Sequence, residues 1–443
     1  IGGQLKSPHE PINRALFFMP RTAALNLLDA VLNHKHQLDD ALAQAQGFSK
    51  LPDRDRALAQ QITRTVLRHI GEIDLLISSF LDKPLGKKGL AAQNVMRLGL
   101  AQLFFLDTAD HAAIDTAVGL CRGGDLAPYR KLVNAILRRA QREGAELLAS
   151  HDIAQLNTPE WLWRGWVEAY GDETAHAIAA QHLIEAPLDI TPKEDPAGWA
   201  EKLEAHLMPT GTLRLNGHKG VITTLPGFDE GAWWIQDMAA SLPARLLGNV
   251  RDLDVIDLCA APGGKTMELA AAGARVIAVD RSEKRLQRVS QNLKRTHLSA
   301  KLITADATEW RPDMLADAVL LDAPCSATGT ARRHPDVLQL KKPADLIKLT
   351  HLQERLLKAA VEMVRPGGLI VYCTCSLQRE EGEAQIDALL QTDAPVQLDP
   401  LQPTEVGTLT DFVTADGFLR TLPCHFSDQG GMDGFFAARL RRL

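Results

Sequence analysis

Cysteine is scarce: six residues in 443. A secreted fold held by disulfides needs more in a shorter chain, so free thiols in a reducing compartment are expected. Long apolar runs are missing too. None approaches the roughly 20 residues that cross a bilayer as a helix, which argues against a membrane-spanning protein. The opening residues, IGGQLKSPHEPINR, lack the charged-then-apolar pattern of a secretory signal and an initiating methionine. They are left out of the fold argument, native or not, and the cytoplasm is the expected location. No internal repeat and no low-complexity tract interrupts the chain. The net charge of −6 does not by itself call for a nucleic-acid partner. Its distribution is uneven, about +4 over residues 1–150 and about −10 over the remainder by count. Ordinary scatter of surface charge explains such a split equally well.

What is present is globular composition, 45% hydrophobic and 23% charged. A chain of this length folds as two or three domains, each able to bury a core without staples. The rhythm supports a multidomain reading. Residues 20–148 read as an all-α domain, with helices over Arg21–His34, Asp53 (as N-cap) to about Ile70, Ile73–Leu81, Gly89–Leu106, His111–Cys121 and Tyr129–Arg142. The last carries Arg130, Lys131, Arg138, Arg139 and Arg142, with Arg122 nearby. That is a candidate phosphate-contacting face, although a solvated helix face has the same composition. Residues 149–235 are broken by prolines and hold Trp161, Trp163, Trp166, Trp199, Trp233 and Trp234. They read as a small α+β connecting subdomain whose tryptophans belong to the core rather than to stacked bases. From 236 to 443 strands and helices alternate. Strands fit Val255–Leu258, Ala274–Asp280, Lys301–Ala305, Asp317–Asp322 and Gly368–Cys373. Helices fit Lys265–Ala272, Ser282–His297, Ala344–Val364 and Glu380–Leu390. This predicts a parallel, doubly wound Rossmann-like sheet, with Gly434–Arg441 added as an antiparallel edge strand.

The first of these strands runs into Cys259-Ala260-Ala261-Pro262-Gly263-Gly264-Lys265 and then a helix. Small residues and paired glycines let backbone approach a ligand at the place where doubly wound folds bind nucleotides. The run is neither G-x-G-x-x-G nor a Walker loop, so no phosphate cradle is implied. S-adenosylmethionine has an adenosine and an amino acid but no phosphate, and it fits. Asp280, Asp306 and Asp322 close the next three strands. Asp280 is placed to accept from the ribose hydroxyls and Asp306 to meet the adenine amino group. One strand-end aspartate is usually a cap or loop residue; three in succession beside a glycine turn form a site.

Asp322 is followed by Ala323-Pro324-Cys325-Ser326, and the next strand ends in Cys373-Thr374-Cys375-Ser376. Cys325 and Cys375 therefore sit at the carboxyl ends of neighbouring strands and can face one pocket. A thiol beside a methyl donor answers a definite difficulty. Carbon 5 of cytosine is not nucleophilic, and a thiolate adding at carbon 6 makes it enamine-like. The competing readings are a buried cysteine acting as a small hydrophobe, preferred for Cys373, a metal pair, and a redox pair. No second Cys/His pair at zinc-like spacing and no C-x-x-C is present.

Asp322-Ala323-Pro324-Cys325-Ser326-Ala327-Thr328-Gly329 and Thr374-Cys375-Ser376 resemble the two cysteine motifs of the Sun/Fmu family of RNA 5-methylcytosine methyltransferases. Cys259–Lys265 resembles that family's adenosylmethionine loop, and Arg332-Arg333-His334-Pro335-Asp336 is similar as well. The resemblance spans 236–443. The front domain, above all Tyr129-Arg130-Lys131-Leu132-Val133-Asn134-Ala135-Ile136-Leu137-Arg138-Arg139, resembles a NusB-type RNA-binding domain. This pairing is similar to the bacterial members that act on small-subunit ribosomal RNA. The resemblance implies a class I methyltransferase using S-adenosylmethionine, with Cys375 as nucleophile and Cys325 assisting product release. It further implies that Asp322 contacts the cytosine edge and that Lys265 makes a polar contact in the pocket. RNA is the expected partner, with no metal and no membrane, and the chain is expected to act as a monomer. The family pattern has no third thiol at Cys373. Three rivals remain at this point: the same chemistry on transfer RNA or another RNA, a non-catalytic NusB-like binding or antitermination factor, and a DNA or protein methyltransferase that needs no cysteine.

Overall fold

The structure is a computed structural model described over residues 20–215, 217 and 220–443; the opening residues set aside above lie outside the described residues. It forms two compact units. One runs to Trp163 and also takes in His334–Leu340; the other comprises Arg164–Arg333 and Lys341–Leu443. Residues 149–163 of the expected connecting segment thus fall in the first unit and 164–235 in the second.

The first unit is helical: α1 (Pro20–Leu32), α2 (Leu38–Gln44), α3 (Asp53–Arg68), α4 (Ile70–Phe80), α5 (Leu90–Phe104), α6 (Asp110–Leu120) and α7 (Arg130–Ala149). Apolar residues recur three and four apart, as Leu27, Leu28 and Val31 in α1, Ile62 and Val66 in α3, and Val133, Ile136 and Leu137 in α7. All of these meet in one core. The N-cap of α3 is Pro52 and not Asp53. Asp53 is instead the first helical residue, where its charge complements the N-terminal end of the helix dipole and pairs with Arg56. The helix expected from Ile73 starts at Ile70, one residue after His69 closes α3. At the start of α2 an otherwise unpaired backbone donor, Leu38 N–H, is accepted by Asp336 at 2.9 Å. On α7 the five cations Arg130, Lys131, Arg138, Arg139 and Arg142 are all exposed. Glu143 offsets part of that charge, 2.9 Å from Arg139.

The second unit contains two sheets. The small one has β1 (Leu188–Pro192), β2 (His206–Leu207), β3 (Leu213–Leu215) and β4 (Trp233–Ile235) in the antiparallel order β2-β3-β1-β4. Trp163, Trp166, Trp233 and Trp234 are buried, as expected for core residues.

The large sheet follows the expected alternation. Its parallel part is β5 (Asp254–Leu258), β6 (Arg275–Asp280), β7 (Lys301–Thr304), β8 (Ala316–Asp322) and β9 (Val364–Thr374), in the order β9-β8-β5-β6-β7. Helices α8 (Gly264–Ala271), α9 (Glu283–Thr296), α10 (Pro343–Met363) and α11 (Glu383–Leu390) accompany it. Alternation along the strands fills two cores. Ile256, Leu258, Val319, Leu321, Ile370 and Tyr372 enter one, and Val255, Ala318, Leu320, Val371 and Cys373 the other. Burial on both faces is why these strands read as continuous apolar runs.

Three details depart from expectation. The last strand, β12 (Phe435–Arg442), is antiparallel but is not an edge. It pairs with β9 on one side, and with β10 (Val396–Leu398) and β11 (Leu419–Thr421) along the rest of its length. Three-residue strands carry too little alternation to be read in advance. The helix expected over Glu380–Leu390 is split into a 3₁₀ turn, Arg379–Glu381, and α11. Gly382 divides them with non-helical backbone, φ −121° and ψ −101°, and a Cβ there would lie 2.8 Å from the Phe436 ring. Finally, β7 stops at Thr304, so Asp306 sits two residues past the strand end. Among the described residues no helix is long and apolar enough to cross a membrane, and no group of three His, Cys, Asp or Glu residues could hold a metal ion.

Candidate active site

The carboxyl ends of β5, β6, β8 and β9 bring the candidate residues together. After β5 the chain turns through Cys259, in the left-handed region at φ 62°, and reaches Gly263 at φ 104°. The second value requires glycine. Ala260 and Ala261 are buried, and α8 begins at Gly264. In the first turn of that helix, buried Lys265 reaches across to Asp322 at the end of β8, with Nζ 2.8 Å from Oδ2. The same ammonium lies 5.0 Å from the centre of the Phe435 ring. Burial alone would depress the lysine, but the facing Asp322 carboxylate outweighs it and raises Lys265 above its ordinary value. Lys265 therefore stays a cation.

Asp280 is buried at the end of β6. It accepts from Ala261 N–H at 3.2 Å and Ser282 N–H at 2.9 Å, and Arg285 Nη1 stands 3.3 Å away. It ties the loop after β5 to the start of α9. Asp306 is exposed and accepts from Thr308 through both backbone N–H (2.9 Å) and hydroxyl (2.7 Å), which holds its carboxyl below the usual range. Asp280 is thus buried and Asp322 half-buried at neighbouring strand ends, whereas Asp306 is exposed and caps its own loop.

A fourth acid was not singled out from sequence. Asp257, inside β5, is fully buried and accepts from the Thr266 hydroxyl at 2.5 Å through Oδ2. Its Oδ1 has no hydrogen-bond partner among the described residues. Burial pushes this carboxyl up to about 7, and the nearby Asp322 adds to the effect. Asp280 and Asp322, set against Arg285 and Lys265, with the partnerless Asp257 oxygen beneath them, offer acceptors that suit a ligand rich in hydrogen-bond donors. S-adenosylmethionine, with a sulfonium, an ammonium, ribose hydroxyls and an adenine amino group, is such a ligand; a polyphosphate is not.

The two cysteine loops meet. Cys325 Sγ lies 3.5 Å from Cys375 Sγ. Gly329 N–H donates to Cys375 O at 3.0 Å, and Leu377 N–H donates to the Thr328 hydroxyl at 3.0 Å. Close backbone contact fixes the first loop from its other side. Gly434 N–H donates to Gly329 O at 2.9 Å, and a Cβ on Gly329 would lie 2.1 Å from Gly434 O. The bond to Cys375, together with burial, raises the Cys325 thiol well above its ordinary range. Burial, reinforced by Asp322, does the same for Cys373, whose Sγ is 3.6 Å from Asp322 Oδ1. Cys259 is also pushed up, by burial and then by Asp322. Thiolate character is disfavoured at all three.

Arg332 and Arg333 also escaped functional reading, being noticed only as part of a family-like run. Both insert into a buried ionic cluster of the second unit. Arg333 Nη2 is 2.5 Å from Asp237 Oδ2, and Arg332 Nη2 is 3.1 Å from Asp433 Oδ1. Asp189 takes Arg214 in a two-pronged pair at 2.8 and 2.7 Å. Three arginines balance three aspartates, so the small sheet, the segment before β12 and the loop after Cys325 are joined without net charge. Burial works against the ionised form of Asp237, but Arg333 and Arg332 outweigh it and hold the carboxyl below its usual range.

Comparison with known proteins bears on the family and the fold. Residues 244–441 match the family model 16S rRNA methyltransferase RsmB/F, and residues 19–142 match the NusB family. A probable ribosomal RNA small subunit methyltransferase B from Synechocystis sp. is 34% identical over 446 residues, covering 95% of this chain and 99% of its own. The ribosomal RNA small subunit methyltransferase B of Xylella fastidiosa strain 9a5c is 37% identical over 439 residues, covering 94% and 99%. Among solved structures, PH0851 is similar in fold, with a TM-score of 0.72 at 21% identity over 99% of this chain and 100% of that one. The helical front unit is thus a NusB domain and the large sheet that of a class I methyltransferase. With identities above 30% along nearly the whole length, the chain belongs to the 16S rRNA methyltransferase RsmB/F family.

Proposed function

We propose that this chain methylates carbon 5 of cytosine in small-subunit ribosomal RNA, with Cys375 as the covalent nucleophile. The observation that carries the reading is the 3.5 Å approach of Cys325 and Cys375 beside the Lys265–Asp322 pair. The names of the relatives support the choice of RNA. Cys259–Lys265, Asp280 and the adjoining acids would hold S-adenosylmethionine, which would supply an electrophilic methyl group. Exposed Asp306 would accept from the adenine amino group.

The protein's own residues do the rest. Asp322 accepts from the exocyclic amino group of a cytosine taken out of its stack. The Cys375 thiolate bonds to carbon 6, and the displaced electron pair makes carbon 5 nucleophilic. Lys265 stabilises charge next to that pair. Transfer of the methyl group to carbon 5 would leave S-adenosylhomocysteine; the carbon 5 proton then passes to solvent, and the electron pair of that carbon–hydrogen bond re-forms the carbon 5–carbon 6 double bond as the carbon 6–sulfur bond breaks, returning the Cys375 thiolate. Cys325, in contact with Cys375, assists this release. The exposed cations of α7 contact RNA phosphates.

Two variants test the assignment. Cys375→Ala should abolish methyl transfer while cofactor binding is kept. Cys325→Ala should accumulate an RNA–protein adduct through Cys375, seen as a denaturation-resistant shift of the chain. Normal turnover by Cys325→Ala would remove the two-cysteine mechanism. An adduct through Cys325 in the Cys375→Ala chain would reverse the roles.

A further inference from the structure

Behind the two cysteines lies a fully buried carboxylate, that of Glu381. Cys325 is followed by Ser326 and Cys375 by Ser376, and both serines turn their hydroxyls onto it. Ser326 Oγ is 2.5 Å and Ser376 Oγ 2.6 Å from Oε2. Oε1 accepts from Ser326 N–H at 2.9 Å and from Gln353 Nε2 at 3.0 Å. The backbone of Glu381 is fixed as well. Its carbonyl accepts from the Tyr372 hydroxyl at 2.8 Å, on the strand that ends in the Cys375 loop. The two serine oxygens are 3.0 Å apart. Each hydroxyl has one proton and each gives it to Oε2, so a shared acceptor, not a bond between them, keeps them together. The carboxylate thus takes four donated hydrogen bonds, from two hydroxyls, one backbone N–H and one side-chain amide.

We propose that Glu381 is a positioning residue for the two-cysteine reaction: by holding Ser326 and Ser376 on one carboxylate oxygen, it sets the separation of Cys325 and Cys375. This rests on the roles given to the two cysteines above. Sulfur placement matters because addition and release both occur at one carbon 6–sulfur bond, and an error of about 1 Å in such a group costs on the order of 100-fold in rate. Glu381 also contributes to keeping the Cys325 thiol protonated. No carboxylate placed at random would do both. Glu381 is fully buried, with its carboxylate engaged by Ser326, Ser376 and Gln353, so its removal should act on turnover and not on binding.

The test uses the full chain with Glu381→Ala and Glu381→Gln, and two readouts. The first is cross-linking of Cys325 to Cys375 by a short dithiol-reactive reagent, without RNA or cofactor, mapped by peptide mass. The second is the division between kcat and KM for methyl transfer. Wild type should cross-link. Glu381→Ala should lose the cross-link and about 100-fold in kcat, with KM for S-adenosylmethionine within about threefold. Glu381→Gln keeps the length and one acceptor oxygen and should fall between. Should Glu381→Ala not fold, Ser376→Ala removes a single hydroxyl and should lower cross-linking and kcat together. A Glu381→Ala chain that cross-links and turns over like wild type overturns the proposal. So does a fall in kcat with cross-linking unchanged. The cross-link does not depend on which RNA or base is methylated. A wild-type chain that cross-links Cys325 to Cys375, loses the cross-link in Glu381→Ala and yet makes no 5-methylcytosine would overturn the proposed function while leaving Glu381 as the group that sets the separation of the cysteines.

Discussion

Asp257 provides a sharp test of the electrostatics beneath the cofactor loop. Its carboxyl is pushed up to about 7 from an ordinary 3.8, chiefly by burial. For an acid raised in the folded state, the unfolded chain ionises first. Stability linked to the group is complete below pH 3.8 and is lost as the pH rises towards about 7. Between pH 5 and pH 8 this loss amounts to about 2.5 kcal/mol. Asp257→Asn removes it. The amide oxygen still accepts from the Thr266 hydroxyl, while the amide nitrogen takes the place of the partnerless Oδ1 and lacks an acceptor. That costs roughly 1–3 kcal/mol at every pH. Urea unfolding of wild type and Asp257→Asn at both pH values, compared as a difference of differences, cancels that constant cost and all other titrating groups. The variant should gain about 2.5 kcal/mol on wild type between pH 5 and pH 8. A gap that does not change with pH would show that burial does not hold Asp257 protonated, and the account of this carboxyl would fail.

Other substitutions probe separate parts of the structure. Gly329→Ala places a methyl group 2.1 Å from Gly434 O, backbone against backbone, and should cost about 2 kcal/mol or more in urea unfolding; an unaffected midpoint would mean the Cys325 loop is not clamped against β12. Asp237→Ala removes the shared acceptor of Arg332 and Arg333 and should destabilise by about 3–5 kcal/mol. A loss below about 1 kcal/mol would mean that Asp189 and Asp433 suffice to hold the arginines. Lys265→Met keeps the bulk near Phe435 but removes the charge opposite Asp322, and kcat/KM for methyl transfer should fall about 100-fold. Undiminished activity would take Lys265 out of the site.

Much of this site was legible because strand ends in a doubly wound sheet converge. The run Cys259–Lys265, Asp280 and Asp322 each follow a recognisable apolar strand, and Cys325 and Cys375 follow neighbouring ones. What stayed hidden depends on tertiary contact. Glu381 lies in Arg379-Glu380-Glu381, which reads as a charged, solvated helix start, yet it is buried because the two serines and Gln353 surround it. Asp237 sits in an irregular stretch after β4, with nothing local to mark it as the acceptor for arginines almost 100 positions later. The interior position of β12 is not legible because β10 and β11 are too short to leave a pattern. Asp306 was read as closing a strand, when that strand ends two residues earlier and Asp306 bonds to Thr308.

The most direct measurement is transfer of a labelled methyl group from S-adenosylmethionine to small-subunit ribosomal RNA free of ribosomal proteins, followed by digestion to nucleosides. The label should appear in 5-methylcytidine, and Cys375→Ala should abolish it. Label in another nucleoside, or in transfer RNA alone, would contradict the proposed reaction or the proposed substrate respectively. No transfer to any RNA by a chain that binds the methyl donor would contradict both.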